Sequence, residues 1–436
     1  MSAASNALAH HWMPFTANRA FQEQPRLLVR AEGMHYWSHD GRRILDGASG
    51  LFCCAAGHGR PEITEAVTKQ LSELEYVPHF QFGHPGSYEL AARLARITPE
   101  DLDHFFFCNS GSEAIDTALK IVMAYHWARG EGHRLRFVSR ERAYHGVNIG
   151  GTSLSGIMRN RDCFGAVLPN VVHMRHTLGG GPRFVRGQPE TGAELADDLQ
   201  RFCDLYGGHT IAACFVEPIA GSTGVLVPPK GYLQRLREIC DRYGILLVFD
   251  EVICGFGRTG RAFGADSFGV TPDLMTMAKA LTNGAQPMGA VAVHEKLWEA
   301  IAAGAPEETI ELFHGYTFSA HPAATAAALA TLEIYEREDL FHRAAELSPY
   351  FLDRMFELAE LPGVTDVRGY GLLAAFDLAP EGVPGTRGFR CLRRLYDEGL
   401  LIKWTGDTGI IAPPLIAGRD HIDEAAGILR RVLSQD

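Results

Sequence analysis

A run of hydrophobic residues ends in two adjacent carboxylates within residues 245–260 (ILLVFDEVICGFGRTG). Five hydrophobic residues in succession predict a strand that is buried on both faces, and Asp250 and Glu251 stand at its end. Burying an unpaired carboxylate is costly, so a positively charged partner is expected nearby. We interpret Asp250 as the functional carboxylate and Glu251 as a structural neighbour.

A second chemical feature lies in residues 105–127 (FFFCNSGSEAIDTALKIVMAYHW), where a predicted strand runs into a predicted helix. Ser110, Gly111, Ser112 and Glu113 lie at this junction. One interpretation is a capping box, in which Ser110 accepts from the start of the helix and Glu113 reaches back. The other is a phosphate site, because a helix N-terminus offers free N–H groups, here beside two hydroxyls. The two interpretations are compatible.

The lysines are few enough to be judged one by one. They are Lys69, Lys120, Lys230, Lys279, Lys296 and Lys403. Lys279 ends a hydrophobic strand between two alanines, where a desolvated amine has a lowered pKa and is a better nucleophile. The ordinary alternative is a lysine whose ammonium reaches from the strand end to solvent. Lys403, which follows LLI, is the only rival, because the other four lie in polar or amphipathic segments.

A phosphate site, a buried aspartate and a strand-end lysine together fit pyridoxal phosphate. Its phosphate requires a site such as the helix N-terminus, and its aldehyde requires a lysine. Its ring nitrogen requires an anion such as Asp250 to stay protonated and act as an electron sink. The charge of Asp250 then has its partner, and a charge-assisted hydrogen bond offsets the desolvation of both groups.

Residues 255–260 (GFGRTG) also match the G-x-G-x-x-G pattern of dinucleotide-binding proteins, which would make the protein a nicotinamide oxidoreductase. That fingerprint requires its glycines to open a helix that packs on the preceding strand. The residues that follow, RAFGADSFGVTPDL, are interrupted by Gly and Pro and lack a helical period. The pattern is therefore interpreted as a loop.

The elements that must position these residues predict an α/β fold. Residues 26–50 predict a small antiparallel meander and residues 61–75 a helix that opens with proline. Short hydrophobic strands (HFFFC, LRFVS, IAACFVE, ILLVFDE, LMTMA) then alternate with amphipathic helices, which indicates a mostly parallel sheet between helices. An alanine-rich helical stretch follows at 322–346. We expect residues 66–330 to form a large domain, with 1–65 and 331–436 forming a smaller α+β domain.

Composition narrows the class of protein further. The chain has 436 residues, 46% of them hydrophobic, and a net charge of −11, which disfavours binding to nucleic acid or to anionic membranes. Its nine cysteines form no C-x-x-C pair, and neither H-E-x-x-H nor G-x-S-x-G occurs, so reduced buried thiols and no metal site are expected. The N-terminal residues lack a signal-peptide pattern, and no apolar run approaches a membrane span. We expect a cytoplasmic protein.

Seven segments of the chain resemble one enzyme family. They are HHWMPFTANRAF, AGHGRPEI, NSGSEAIDTALKI, ERAYHGVNIGG, residues 217–260 (EPIAG to GFGRTG), TPDLMTMAKALTNGAQPMGAV and HGYTFSAHP. The chain resembles the class III pyridoxal-phosphate aminotransferases of fold type I along nearly its whole length. Within that family it is most similar to the β-alanine (ω-amino acid):pyruvate aminotransferases. The resemblance implies transfer of an amino group from an ω-amino acid or amine to a keto acid, for which pyruvate is expected, with ping-pong kinetics.

The resemblance also implies roles for residues in the matching motifs. Lys279 would bind the cofactor aldehyde, and Asp250 would face the pyridine nitrogen. The other implied contacts are Ser110, Gly111 and Ser112 at the phosphate, Tyr144 and Val252 on the two faces of the ring, and Glu217 beside Asp250. Thr317 would reach the phosphate of the partner subunit, which implies a homodimer with shared sites and leaves a tetramer open. Tyr144 as a core aromatic, Thr317 as a turn residue and Glu217 as a strand-end charge are the ordinary alternatives.

Three departures from the family bear on substrate choice and on competing functions. Lys403 stands where arginine is usual, and a lysine offers a carboxylate one point charge in place of a bidentate fork. Phe52 stands where tryptophan is usual, and Ala280 replaces a usual glycine. Weaker carboxylate recognition and greater tolerance of plain amines are therefore expected.

The alternative functions are those of another pyridoxal-phosphate enzyme, such as an aminomutase, racemase or decarboxylase, of a nicotinamide oxidoreductase, or of a catalytically silent protein on the same fold.

Overall fold

The structure is a computed structural model of the chain and describes residues 8–165, 167–178 and 182–435. The first seven residues of the N-terminal stretch and the tip of the Gly-rich segment near 180 lie outside these ranges. Within them, no helix is both long and apolar enough to cross a membrane. The same ranges contain no group of three acidic, His or Cys side chains arranged to hold a metal ion.

The strands belong to three sheets. They are β1 (Leu28–Glu32), β2 (His35–Ser38), β3 (Arg43–Asp46), β4 (His104–Cys108), β5 (Arg136–Arg140), β6 (Val171–Met174), β7 (Ile211–Val216), β8 (Leu246–Asp250), β9 (Leu274–Met277), β10 (Gly289–Val293), β11 (Val364–Tyr370), β12 (Leu373–Leu378), β13 (Leu400–Leu401), β14 (Lys403–Thr405) and β15 (Thr408–Ile411).

The helices surround these sheets. They are α1 (Asn18–Glu23), α2 (Pro61–Glu73), α3 (Pro85–Leu94), α4 (Gly111–Ala128), α5 (Ile149–Leu154), α6 (Asp197–Tyr206), α7 (Tyr232–Tyr243), α8 (Gly264–Phe268), α9 (Glu295–Ala303), α10 (Pro322–Arg337), α11 (Leu340–Phe356), α12 (Thr386–Asp397) and α13 (Arg419–Ser434).

The central sheet has the order β4-β10-β9-β8-β7-β5-β6. Strands β9, β8, β7, β5 and β6 run parallel, and β10 is antiparallel to both of its neighbours. Every residue of β7 and β8 is buried, as the uninterrupted hydrophobic runs predict for strands covered on both faces. The mostly parallel α/β sheet predicted from the sequence is therefore confirmed.

The two chain ends meet in a smaller four-stranded sheet, β1-β2-β3-β13. Strands β1 to β3 form the predicted antiparallel meander, and β13, from the C-terminal part of the chain, pairs parallel to β3 through Leu400 opposite Leu45. A second sheet, β11-β12-β15-β14, is antiparallel throughout. The predicted α+β part built from both chain ends is thus present.

Two helix predictions need correction at their ends. Helix α2 ends at Glu73 because Leu74 takes an extended conformation, two residues before the predicted end. The predicted helical stretch 322–346 is two helices, since Asp339 has a φ of 47° and breaks the chain between α10 and α11. Left-handed backbone cannot continue a right-handed helix. The amphipathic period of α7 is as expected, with Leu233, Leu236 and Cys240 buried on one face.

The sheet brings five strand ends to one edge. Strands β4, β5, β7, β8 and β9 share a direction, so their carboxyl ends lie together. The residues that follow these ends are the start of α4, the Tyr144 loop, Glu217, the Asp250 turn and Lys279. The topology therefore collects residues from distant parts of the sequence into one place.

Candidate active site

Asp250 ends β8 and is 6% exposed. Its Oδ2 lies 2.8 Å from Nδ1 of His145. Its Oδ1 accepts from the backbone N–H of Val252 at 3.1 Å and from Oγ1 of Thr276 at 3.2 Å. These bonds hold the carboxylate in one orientation at the edge of the sheet, where ligands bind in α/β proteins.

Sequence reasoning missed His145 and Thr276. His145 is fully buried, and its Nε2 has no hydrogen-bond partner among the described residues. Thr276 is opposite Asp250 in the parallel pairing of β9 with β8. A sequence signal existed for His145, because it directly follows Tyr144 in the AYHG motif. Thr276 follows from strand register alone.

Lys279 begins a short 3-10 turn, Lys279–Thr282, just after β9. Its φ is 47°, in the left-handed region that costs a residue with a side chain about 1–2 kcal/mol. Such conformations persist only where the surrounding structure imposes them, and they are concentrated at functional sites. The left-handed turn brings the Lys279 side chain into the cavity that Asp250 also lines.

The start of α4 shows the capping contacts that its sequence suggested, and it leaves backbone N–H groups free for a phosphate. Ser110 is the N-cap, and its Oγ accepts from the backbone N–H of Glu113 at 3.2 Å. Glu113 reaches back to the backbone N–H of Asn109 at 2.7 Å, one residue earlier than the N-cap that a standard capping box uses. The N–H groups of Gly111 and Ser112 precede the first bonds of the helix, so they are free to bind an anion.

Two glycines leave space beside this helix start. A Cβ on Gly146, whose φ is +88°, would lie 2.4 Å from Oγ of Ser112, and one on Gly111 would lie 3.1 Å from a methyl of Val252. Ser112 in turn accepts from the backbone N–H of Val147 at 3.0 Å. Only glycine permits this close approach between the AYHG loop and the helix.

Glu217 fixes the same loop from the other side. Its Oε1 accepts from the backbone N–H of Tyr144 at 3.0 Å, and its Oε2 accepts from Gly221 at 3.0 Å. Burial raises the pKa of Glu217, the neighbouring His145 lowers it, and the Asp250 carboxylate raises it further. Burial likewise raises the pKa of Tyr144. The structure thus links Glu217 to the loop that carries Tyr144 and His145.

These side chains line one cavity of about 100 Å³ that opens to solvent. Its lining is Gly111, Ser112, Tyr144, His145, Gly146, Glu217, Asp250, Val252, Ile253 and Lys279. Seven of the residues singled out from the sequence are therefore brought together. Ser110 caps the helix behind the lining, and Phe52, Thr317 and Lys403 do not line the cavity.

Lys403 begins β14 and is held by polar contacts. Its Nζ donates to the carbonyl oxygen of Ser222 at 2.8 Å and to Oγ1 of Thr405 at 2.5 Å. Burial, followed by the charge of Lys279, lowers the pKa of Lys403 to about 8, while Glu217 raises it. Lys403 therefore interacts electrostatically with Lys279 and Glu217, two residues that line the cavity.

Phe52 and Thr317 occupy contrasting environments. Phe52 is 2% exposed and packs in the main hydrophobic core at the end of a left-handed turn, Ser49–Phe52. Thr317 is exposed, and its carbonyl oxygen accepts from the Tyr76 hydroxyl at 3.1 Å. Neither position adds a side chain to the cavity within this chain.

Glu251 has a structural role. It is fully buried, and its two carboxylate oxygens accept from the backbone N–H groups of Gly264 and Ala265 at 2.9 and 2.7 Å. Burial raises the pKa of Glu251 to about 8, although these N–H donors lower it. Its bonds cap the five-residue helix α8.

The GFGRTG segment forms successive turns, and helix α8 begins only at Gly264. The glycines therefore open no helix against β8, and the dinucleotide interpretation disfavoured by the sequence has no structural support. Six of the nine free cysteines are buried, whereas Cys53 and Cys54 are half-buried and Cys163 is exposed, so the expectation of uniformly buried thiols is wrong for these three.

The cavity fits pyridoxal phosphate in three respects. Free N–H groups at the start of α4 suit a phosphate, the fixed carboxylate of Asp250 suits a cationic ring nitrogen, and the amine of Lys279 suits an aldehyde. The two glycines keep the phosphate end clear of side chains. All three features occur in the same lining.

The model of the aminotransferase class-III family matches residues 16–433. The chain belongs to this family. The resemblance noted from the sequence is thereby confirmed, and so is dependence on pyridoxal phosphate, which class III aminotransferases share. The fold prediction is confirmed by the solved structures described below.

Several relatives of this class III aminotransferase match almost its full length. It is 55% identical to an omega-aminotransferase of Caulobacter vibrioides over 99% of this chain and 98% of that one. It is 48% identical to a beta-alanine–pyruvate aminotransferase of Pseudomonas aeruginosa, over 95% and 93% of the two chains. Both matches extend over nearly the whole of this chain.

Solved structures show the same fold. An (S)-enantioselective omega-transaminase of Thermomicrobium roseum superposes with a TM-score of 0.93 at 35% identity, covering 100% of this chain and 99% of that one. An omega-transaminase of Pseudomonas jessenii in complex with PMP gives 0.94 at 33% identity, covering 100% and 98%. These matches extend over both the central sheet and the sheets formed by the chain ends.

Proposed function

We propose that this class III aminotransferase moves the amino group of an ω-amino acid or amine, such as β-alanine, to a keto acid, with pyruvate as the expected acceptor. The observation that carries the proposal is the single cavity lined by Asp250, Lys279 and the N-terminus of α4. Support for the substrate class comes from relatives named for β-alanine, ω-amino acids and pyruvate at 47–48% identity.

In this proposal the cofactor supplies an aldehyde for amines and a cationic ring that draws in the electrons released at the donor carbon. Asp250 holds the ring nitrogen protonated, and His145 and Thr276 keep the carboxylate aimed at it. The Nζ of Lys279 holds the cofactor at rest. When not bound to the cofactor, the same Nζ would accept the proton from the donor carbon and return one, as general base and general acid.

The remaining predicted contacts complete the binding of the cofactor. The N–H groups of Gly111 and Ser112 receive the phosphate beside the Ser110 cap. Tyr144 and Val252 take the two faces of the ring, and Glu217 orients the Tyr144 loop. Residues 66–330, as the large domain, hold all of these groups.

The proposed assembly is a cytoplasmic homodimer in which Thr317 of the partner subunit reaches the phosphate. An exposed Thr317 that leaves the cavity of its own chain untouched supports this arrangement. Two residues are proposed to set the substrate preference: Phe52 by its size, and Lys403 by offering a carboxylate one point charge where the family resemblance leads us to expect arginine.

Cofactor and half-reaction experiments test the proposal. Purified protein should bind pyridoxal phosphate with a visible absorbance band, and borohydride reduction followed by peptide mapping should place the adduct on Lys279. Incubation with an amine donor alone should convert the cofactor to pyridoxamine phosphate, and pyruvate should reverse the change. A colourless protein, or an adduct on Lys403, contradicts the site assignment.

Donor and acceptor screening distinguishes the other enzyme classes. β-Alanine and a simple aryl-alkyl amine should each give alanine from pyruvate with parallel lines in double-reciprocal plots. A racemase or aminomutase would instead convert its substrate without accumulating pyridoxamine phosphate. Nicotinamide-dependent turnover without pyridoxal phosphate would overturn the proposal.

A further inference from the structure

Arg258 belongs to the GFGRTG segment but does not line the cavity. The residue is 2% exposed, and the hydrogen-bond acceptors of its guanidinium are neutral oxygens. Burial lowers the pKa of Arg258 to about 10. A buried cation needs several acceptors to offset the loss of water, so the partners of Arg258 indicate its role.

The partners lie in three separate segments. Nη2 donates to Oγ of Ser49 at 2.9 Å, and Nη1 donates to the carbonyl oxygens of Pro413 at 2.6 Å and Leu372 at 3.2 Å. Ser49 itself donates to the carbonyl oxygen of Ala412 at 2.6 Å. One side chain therefore fastens the segment at Ser49 to the C-terminal part of the chain.

Ser49 opens a left-handed turn, Ser49–Phe52, in which four successive residues have φ between 49° and 68°. Only Gly50 among them favours that conformation. Asp46 supports the turn by accepting from the N–H groups of Ala48 at 2.9 Å and Gly50 at 2.7 Å. A turn of this kind requires external bonds to persist.

The chain that leaves the turn docks beside Lys279. The short 3-10 turn Lys279–Thr282 is followed by Asn283, whose side chain accepts from Ala56 N–H and donates to the Gly57 carbonyl, both at 2.8 Å. A Cβ on Gly284 would lie 3.1 Å from Cβ of Cys53. The left-handed turn and the segment that carries Lys279 are thus packed directly together.

We propose that Arg258 is a positioning residue that holds the left-handed turn Ser49–Phe52 and so sets the wall of the substrate pocket next to Lys279. It joins this turn to Leu372, just before β12, and to Pro413, just after β15. Strand β15 pairs with β14, where Lys403 lies. The substrate part of the inference rests on the proposed aminotransferase function. The structural part, the hold on the turn, does not.

Two variants test whether Arg258 holds the turn Ser49–Phe52, and each changes only this side chain. Arg258→Lys keeps the charge but loses the fork that reaches three acceptors, and Arg258→Met removes the charge. Arg343→Met is the control, because Arg343, although exposed, also donates to two backbone carbonyls of the C-terminal part, those of Ile416 and Ala417.

The first readout does not depend on activity. Alkylation of the half-buried thiol of Cys53, mapped by mass spectrometry, should become about tenfold faster in Arg258→Lys, because a looser turn opens more often. The control should alkylate at the wild-type rate. Equal rates in Arg258→Lys and wild type, or faster alkylation in the control, would overturn the proposal.

The second readout is donor selectivity. Arg258→Lys should raise KM about tenfold for amine donors and change the ratio of kcat/KM between an aryl-alkyl amine and β-alanine, while cofactor content stays that of wild type. Adding Leu51→Gly, which favours left-handed backbone without touching any acceptor of Arg258, should restore the ratio. A loss of activity with an unchanged ratio of kcat/KM between the two donors, or no rescue by Leu51→Gly, would show that Arg258 contributes only to general stability.

Failure of the aminotransferase proposal is distinguishable from failure of this one. If wild-type protein transaminates none of the donors, the proposed function fails, whereas the Cys53 measurement still decides whether Arg258 holds the turn. If wild type transaminates and Arg258→Lys changes neither alkylation nor selectivity, only the present inference fails.

Discussion

His145 and Asp250 form a buried pair in which Nδ1 and Oδ2 lie 2.8 Å apart. Facing a carboxylate, Nδ1 of the imidazole donates the hydrogen bond, and the buried Nε2 has no partner among the residues that the structure describes. Asp250 thus receives three donors from three segments, the AYHG loop, its own turn and β9. In the proposed function, His145 orients the Asp250 carboxylate, the anion that keeps the cofactor ring protonated.

The pair predicts distinct effects for two substitutions of His145. His145→Leu removes a hydrogen bond to a charged group, worth about 1.5–3 kcal/mol, and should lower kcat/KM about 10- to 100-fold. His145→Asn places an amide near the position of Nδ1 and should recover most of that loss. Steady-state kinetics with β-alanine and pyruvate measure both.

A second buried histidine, His126, provides the control for the His145 variants. His126 is also buried, and its Nε2 lies 3.0 Å from the carbonyl oxygen of Ala212, away from the cavity. His126→Leu should lower the melting temperature and leave kcat/KM of the folded enzyme unchanged. Equal kinetic losses in the His126 and His145 variants would show that His145 contributes only to stability.

Substitution of Gly146 by alanine should weaken cofactor binding. In Gly146→Ala the new methyl would lie 2.4 Å from Oγ of Ser112, at a φ of +88°, so the loop or the start of α4 must move. The affinity for pyridoxal phosphate, measured by equilibrium titration of the absorbance, should fall at least about tenfold, since anion binding depends on the position of that helix start.

The opposite end of the same helix offers the comparison. Gly130 follows α4, has a φ of +75° and has open space around its Cβ position. Gly130→Ala should cost about 1 kcal/mol of stability from the left-handed backbone and leave cofactor affinity unchanged. A similar loss of affinity in both variants would rule out a local effect at the phosphate site.

Much of the site could be predicted because its residues follow strand ends. Asp250 and Lys279 each end a hydrophobic run, and runs of this kind predict parallel strands whose carboxyl ends meet at one edge. The Ser110 cap is a local pattern of side chain and backbone. Features of this kind depend on neighbours in the sequence, so the sequence alone suffices.

The unpredicted features depend on distant partners. His145 and Asp250 are 105 residues apart, and Arg258 and Ser49 are 209 apart, so no local pattern connects them. The left-handed turn contains Leu51 and Phe52, whose types oppose that backbone, and only tertiary bonds explain it. Sequence motifs therefore identified the chemical groups, while the structure identified what holds them.

Lys403 predicts a pH dependence that only carboxylate donors show. Burial lowers the pKa of Lys403 to about 8, so its ammonium is charged below that pH and loses the charge above it. The KM for β-alanine, relative to that for a plain amine, should rise about tenfold between about pH 7 and pH 9, following the charged fraction. Taking the ratio cancels the titration of the donor amines and of the cofactor.

Lys403→Arg is the matching variant, because arginine stays charged throughout this range. It should abolish the pH dependence of the KM ratio and lower the KM for β-alanine, since a fork binds a carboxylate at two points. If the ratio is flat in wild type, or if Lys403→Arg leaves donor and keto-acid preferences unchanged, Lys403 does not recognise the carboxylate.

Thr317 predicts that defects in two different chains complement one another. In a dimer of Lys279→Ala with Thr317→Ala, shared sites would place both defects in one site and leave the other site with Lys279 and Thr317 intact. Such mixed dimers, co-expressed with two tags and purified on both, should show about half of wild-type activity at limiting cofactor.

The Lys279→Ala homodimer should be inactive, and the Thr317→Ala homodimer should bind cofactor about 10- to 100-fold more weakly through loss of a hydrogen bond to a charged group. Thr309→Ala is the control, because Thr309 is exposed and its hydroxyl donates to the nearby Pro306 carbonyl, and this variant should bind cofactor as wild type does. If Thr317 acts within its own chain, each site of the mixed dimer carries one defect and activity stays low at limiting cofactor, which would contradict the shared site.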